Sequence, residues 1–220
     1  MSTTRESHLV ELVDNAGAIT GETTVEAAHQ PPGQLHRAFS VLLVDPTGRV
    51  LLQQRAAVKT RFPLRWANSC CGHPEPGQSL RSAANRRLME ELGAGPVGLT
   101  EVGVYRYFAE DPATGRVEFE YDHVLRGDFS PDQPLLPDPA EVADLRWVEP
   151  EELRAHLAAD PDRYAPWLVG VLERYLQSVP DAATFAAAGN VPASPAGVPT
   201  GAAGASPGPV DNAAEPPGGR

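Results

Sequence analysis

The 220-residue sequence predicts an α+β sandwich built on a mixed sheet, and three observations carry that reading. Two apolar runs, 38–44 and 50–55, are joined by Asp45-Pro46-Thr47-Gly48, a hairpin signal. Leu80, Ala84, Leu88 and Leu92 repeat at helical spacing. Hairpins and helices then follow one another irregularly, which suits segregated layers better than a doubly wound parallel sheet.

Taken in order, 8–13 reads as a short strand before the turn Asp14-Asn15-Ala16-Gly17. The helix spans 78–92 and stops at Gly93, which tolerates the left-handed conformation of a helix end. Strands follow at 99–107 and 117–126, linked by Asp111-Pro112-Ala113-Thr114-Gly115, and a shorter one at 144–148. The segments 150–158 and 161–176 read as helices, each with proline near its start. No internal repeat is visible. The folded domain is expected over 1–180. In 181–220, 26 of 40 residues are Ala, Pro or Gly, too little apolar surface to offset ordering entropy, so a disordered tail is expected there.

A net charge of -11 disfavours nucleic acid as a partner. A small anionic substrate would need a local basic cluster. The two cysteines, Cys70 and Cys71, are adjacent and badly placed to bridge, so a reducing compartment fits. No run has the length of a signal peptide's apolar core or of a membrane helix, and the expectation is a soluble, cytoplasmic protein with no membrane partner. The sequence leaves oligomeric state open.

Several residues could carry chemistry. Asn68-Ser69-Cys70-Cys71-Gly72-His73-Pro74 sets a thiol and an imidazole on a loop before the helix. Taken alone, a buried cysteine acting as a small core residue is the blander and better reading. Arg87 and Glu91 lie at the edge of the helix's apolar face, where charge is costly unless paired or metal-bound, although a surface i,i+4 pair explains them equally simply. Glu118 and Glu120 share one strand face. Phe119 and Tyr121 take the other, expected to be the buried one, which leaves the glutamates toward solvent or a cleft. His29 and His36 flank a helix-breaking Gln30-Pro31-Pro32-Gly33-Gln34-Leu35 insert, so only a turn could join them. Arg55, Lys59, Arg61 and Arg65 form a basic cluster suited to a diphosphate, or simply to surface charge balance.

Together these pieces resemble a known family. His29 and His36, the Asn68–Pro74 run, Glu90-Glu91-Leu92-Gly93, Glu118-Phe119-Glu120 and Ala165-Pro166-Trp167 stand in the order and spacing of type 1 isopentenyl-diphosphate isomerases, a branch of the Nudix superfamily. The likeness runs from about residue 10 to 176. The superfamily box, Gly-x5-Glu-x7-Arg-Glu-U-x-Glu-Glu-x-Gly-U with U bulky and apolar, starts here at Gly72. It shows Gln78 for its first Glu, Arg86-Arg87 for Arg-Glu and Ala94 at its last position, while Glu90, Glu91 and Gly93 are kept. Those losses speak against a second candidate, a Nudix hydrolase of nucleoside diphosphate derivatives. A third, a catalytically silent Nudix-fold binding module, has no use for Cys71, Glu120 and a full ligand set.

The resemblance implies a Nudix-type α/β/α sandwich that converts isopentenyl diphosphate to dimethylallyl diphosphate. It implies that His29, His36, His73, Glu118 and Glu120 bind one ion, for which Mn²⁺ or Zn²⁺ suits the donors. Mg²⁺ would bind Glu91 and the substrate diphosphate, with Arg55, Lys59 and Arg87 neutralising the phosphates. Glu120, supported by Tyr107, would give a proton and Cys71, its pKa lowered by nearby cations, would take one, while the opposite assignment of the pair stays open. Trp167 would face the cationic carbon.

Overall fold

The computed structural model describes residues 3–179; the expected tail at 181–220 lies outside them. A short helix α1 (Thr3–Glu6) leads into β1 (Leu9–Val13), β2 (Ile19–Thr24), α2 (Val25–Ala28), β3 (His36–Val44), β4 (Val50–Arg55), β5 (Trp66–Ala67) and β6 (Cys70–Gly72). Then come α3 (Leu80–Leu92), β7 (Leu99–Glu110), β8 (Val117–Asp128), β9 (Val142–Val148), α4 (Pro150–Ala159), a 3-10 turn (Pro161–Arg163) and α5 (Leu168–Ser178).

β3 is the hub. It pairs parallel with β8 from His36 opposite Glu120 to Val44 opposite Asp128, and antiparallel with β6, where Ser40 lies opposite Cys71. β7 closes the far side of β8, and β4 carries β5 and β9. The sheet is therefore mixed, as the sequence predicts. β3 is apolar on both faces because both are covered. Phe39, Val41 and Leu43 pack with Ala84, Leu88 and Leu92 of α3; Leu42 and Val44 pack with Leu153 of α4 and Leu168, Val171 and Leu172 of α5. Helices thus cover the sheet on both sides, giving the expected sandwich.

Several boundaries differ from the sequence reading. α3 begins at Leu80, because Ser79 is its N-cap and accepts from Ser82 N–H. The expected 161–176 helix is broken: Tyr164 is extended, Ala165 N–H bonds Trp66 C=O, and Pro166 has no N–H, so α5 starts only at Leu168. β2 was not expected, since its Ile19-Thr20-Gly21-Glu22 run is polar and mostly exposed. β5 and β6 are too short to show a period.

Candidate active site

The histidines and Glu120 expected to bind an ion converge at the His36 end of β3. His29 follows α2 as its C-cap, His36 opens β3, and His73 follows β6. Their ring centroids lie 4.6 to 5.2 Å apart. The ligand atoms of His29, His36, His73 and Glu120 all fall within 4.8 Å of one another. The prolines and glycine that break the helix between His29 and His36 also turn the chain back, with Gly33 N–H bonding Gln30 C=O. Glu118 stands beside this set rather than within it: its Oε2 is 2.8 Å from His29 Nε2 and its Oε1 accepts from Arg61 Nε at 3.0 Å.

The donor chemistry fits a divalent ion. His29 Nδ1 lies 2.6 Å from Val25 C=O, and His36 Nδ1 2.8 Å from Gln34 C=O. A carbonyl only accepts, so each Nδ1 is the protonated nitrogen and each Nε2 is the one free to bind. Both Nε2 atoms and Glu118 Oε2 are buried without a hydrogen-bond partner among the described residues. Imidazole nitrogens aimed at carboxylate oxygens make an unfavourable site when empty and a suitable one around a cation. Burial pulls the His73 imidazole down to about 4, against its bond to Glu120, which keeps it in the neutral, metal-binding form.

Glu120 is the junction between the ion site and the reaction site. Its Oε1 lies 2.9 Å from His73 Nε2, and Oε2 accepts from the Tyr107 hydroxyl at 2.7 Å. Burial opposes ionisation, but the His36 and His73 imidazoles beside it outweigh burial and hold the carboxyl well below the usual range. Tyr107 packs 5.9 Å from Trp167, and the Trp167 indole N–H donates to Asn68 Oδ1 at 3.0 Å. The same oxygen lies 3.1 Å from Cys71 Sγ. Thiol and carboxylate thus sit on strands that flank β3 and are joined by a short chain of side chains.

Two expectations about these residues are overturned. Glu118 and Glu120 occupy the buried strand face, 4% and 8% exposed, while Phe119 and Tyr121 are half-buried. The aromatic face of β8 is thinly covered, and the carboxylates are kept inside by histidines and Arg61. The Cys71 thiol is not activated: burial, then Asp122, push it up to about 12, and Arg55 only partly offsets them.

The basic residues are divided. Arg55 spends Nε and Nη2 on the Arg61 and Phe62 carbonyls and lies 5.4 Å over the Trp167 ring, so it first braces the 61–62 turn against Trp167. Lys59 and Arg87 converge with Arg5 on Glu141. Arg87 also bonds Glu90 and Glu91, and Glu91 accepts from Gln53. Arg65 points elsewhere, toward Asp162. Gln78 bonds Glu75 N–H and Arg86, a loop-bracing role rather than a ligand's.

Sequence reasoning missed Asp122 and Ser40 as parts of the site, and it did not foresee that Asn68 meets Cys71 and Trp167 or that Arg61 meets Glu118. Asp122 was within reach: it extends the Glu118, Glu120 alternation by one step on the same face. It is fully buried, accepts from Ser40 Oγ at 2.7 Å, and is held well above the usual carboxylate range by burial and by Glu120. No local pattern marks Arg61 as a partner of Glu118 or Asn68 as a partner of Trp167.

Comparison with known proteins identifies the family. The NUDIX domain family model matches residues 34–168. An isopentenyl-diphosphate Delta-isomerase of Nocardia farcinica is 66% identical over 164 residues, covering 74% of this chain and 92% of that protein. The protein of the same name in Streptomyces coelicolor is 48% identical over 170 residues, 77% of this chain and 84% of its own. The crystal structure of DR0079 from Deinococcus radiodurans shares the fold, with a TM-score of 0.60 and 19% identity over 76% of this chain and 99% of that one. The chain belongs to the isopentenyl-diphosphate Delta-isomerase family of NUDIX-domain proteins.

Proposed function

We propose that the chain converts isopentenyl diphosphate into dimethylallyl diphosphate, with Cys71 and Glu120 exchanging protons with the substrate. The observation that carries this reading is the side-chain path Cys71–Asn68–Trp167–Tyr107–Glu120, which brings a thiol and a carboxylate to one buried, aromatic-lined site.

An alkene gains a proton at its terminal carbon, leaving tertiary cationic character next door. A proton then leaves the neighbouring methylene. The acid and the base must already hold opposite protonation states. Here the thiol is pushed toward its protonated form and the carboxyl toward its ionised form. That favours Cys71 as donor and Glu120, hydrogen-bonded by Tyr107, as acceptor, the second of the two assignments the sequence leaves open. Trp167 and Tyr107 offer ring faces to the cationic carbon, roughly 2 kcal/mol or more for a desolvated indole. They also exclude the water that would trap it as an alcohol.

His29, His36, His73 and Glu120, with Glu118 beside them, would hold one divalent ion, and their mixed nitrogen and oxygen donors suit Mn²⁺ or Zn²⁺. Such an ion supplies fixed positive charge that keeps Glu120 anchored. Glu91 would share Mg²⁺ with the substrate diphosphate, whose charge Arg87 and Lys59 meet, with Arg55 behind them.

Purified protein with Mg²⁺ and isopentenyl diphosphate tests the proposal, with products read by proton NMR and free phosphate by a colorimetric assay. Dimethylallyl diphosphate without phosphate is the expected result. Phosphate release without double-bond movement would support hydrolysis instead, which Arg87 and Gln78 in the Nudix box argue against. Ligand retention with neither product would leave a binding module.

A further inference from the structure

Asn68 sits in the bend between β5 and β6, fully buried. Its Nδ2 donates to Val41 C=O at 3.2 Å and to Cys70 C=O at 2.8 Å. Both partners only accept, so the amide has a single orientation, and Oδ1 faces the other way. That oxygen then receives two donors. Trp167 Nε1, at 3.0 Å, is an indole N–H and can only donate. Cys71 Sγ, at 3.1 Å, is the second. The thiol's other polar neighbour is Ser40 Oγ at 3.6 Å, whose own proton goes to Asp122. Asn68 Oδ1 is the nearer of the two acceptors available to the S–H.

We infer that Asn68 is a positioning residue for the isomerisation: one carbonyl oxygen holds the Cys71 thiol and the Trp167 indole in fixed register. This rests on the roles proposed above for those two residues. Asn68 acts only through them. Trp167 is 99 residues away, at the entry to α5, on an element of the opposite layer from α3. Without a shared anchor, the proton-carrying sulfur and the ring meant to face the cationic carbon would be set by two independent packing problems. Proton transfer is sensitive to such placement, since misplacing a reacting group by about 1 Å can cost on the order of 10²-fold in rate. The two Nδ2 bonds fix the oxygen from the β3 and β6 side, so the register is referred to the same strand that carries His36.

The inference is tested on the full-length, metal-loaded protein by two measurements. The first is steady-state kinetics of Asn68→Ala, Trp167→Phe and Cys71→Ala. For Asn68→Ala, kcat should fall by roughly 10²-fold with KM nearly unchanged, because the diphosphate contacts are untouched. The second is the infrared S–H stretch of Cys71, assigned as the difference between the parent protein and Cys71→Ala. In the parent, the band should have the lowered frequency of a hydrogen-bonded thiol. It should move to the free-thiol position in Asn68→Ala and remain lowered in Trp167→Phe, where the oxygen loses only the indole. A free-thiol band in the parent overturns the inference even if Asn68→Ala does not fold. So does full kcat in a folded Asn68→Ala protein. If Cys71→Ala itself stays active, the underlying catalytic reading fails instead, and the kinetics separate the two cases.

Discussion

His29 turns its Nε2 to within 2.8 Å of Glu118 Oε2 while its Nδ1 is committed to the Val25 carbonyl. The imidazole is thereby locked in one tautomer and one ring orientation, with its binding nitrogen facing a carboxylate in a buried pocket. The same arrangement recurs less tightly at His36, whose Nε2 lies 3.7 Å from Glu120 Oε1. Two backbone carbonyls, those of Val25 and Gln34, thus prepare the ion site before any ion arrives.

Metal removal should therefore weaken the fold as well as the activity. An ion that binds only the native state stabilises it by mass action, about 2.7 kcal/mol at a hundred times its Kd. Thermal unfolding with and without a strong chelator, alongside metal analysis, measures this. A lower Tm on chelation is expected, with His36→Ala lacking both the metal and the shift. An identical Tm in both conditions would contradict the site.

Arg61 holds the outer oxygen of Glu118 and reaches Glu6 with its other arm. Partners that orient a ligand typically contribute 10- to 100-fold, to order of magnitude, in metal affinity. Arg61→Gln should weaken Mn²⁺ binding by roughly that factor in competition with a chelating dye. Unaltered affinity would confine Arg61 to bracing the N-terminal segment.

Lys59 gives the pH dependence. Burial and Arg55 bring its ammonium down to about 8, although Glu141 opposes them. Its charge is present below that pH and lost above it, so KM for the diphosphate should rise as pH passes through about 8. Stability runs the other way: between that value and the ordinary 10.5 the unfolded chain binds a proton the folded chain does not, so this group makes folding more favourable as pH rises. KM measured from pH 7 to pH 9 checks the first point, on the order of one unit either side of the transition. Lys59→Arg, always charged, should flatten the curve. A KM that is flat in the parent would remove Lys59 from diphosphate binding.

Packing around the last helix is equally specific. A Cβ on Gly170 would fall 2.2 Å from the Tyr105 ring, so Gly170→Ala must displace either that ring or α5. Overpacking of this kind costs about 1–3 kcal/mol, read as a shift in the denaturation midpoint. A neutral effect would mean that Tyr105 can move aside.

Much of this was legible in the sequence, where a feature repeats locally. The β3–β4 hairpin, the α3 face ending at Gly93, and the Glu118/Glu120 pair each follow from a short pattern. The site's ligands were legible only through their joint spacing, because a loop histidine such as His29 looks like any other until the chain folds back through Gly33. The Pro161–Trp167 break was not visible, since it depends on Ala165 pairing with Trp66, nearly a hundred residues earlier. The buried face of β8 was misread for a similar reason: apolar rings usually win the interior, but here Glu120 has Tyr107 and three imidazoles to receive it. The state of the Cys71 thiol also needed coordinates, because burial, not the nearby cations, dominates it.

Cys71→Ala tests most directly whether the Cys71 sulfur moves a proton, since the substitution leaves the histidines, Glu120, Lys59 and Arg87 in place. Metal content and Tm should match the parent protein, while kcat for conversion of isopentenyl diphosphate falls by at least roughly 10²- to 10⁴-fold. A folded, metal-loaded Cys71→Ala protein that turns over within a fewfold of the parent would contradict that role of the sulfur.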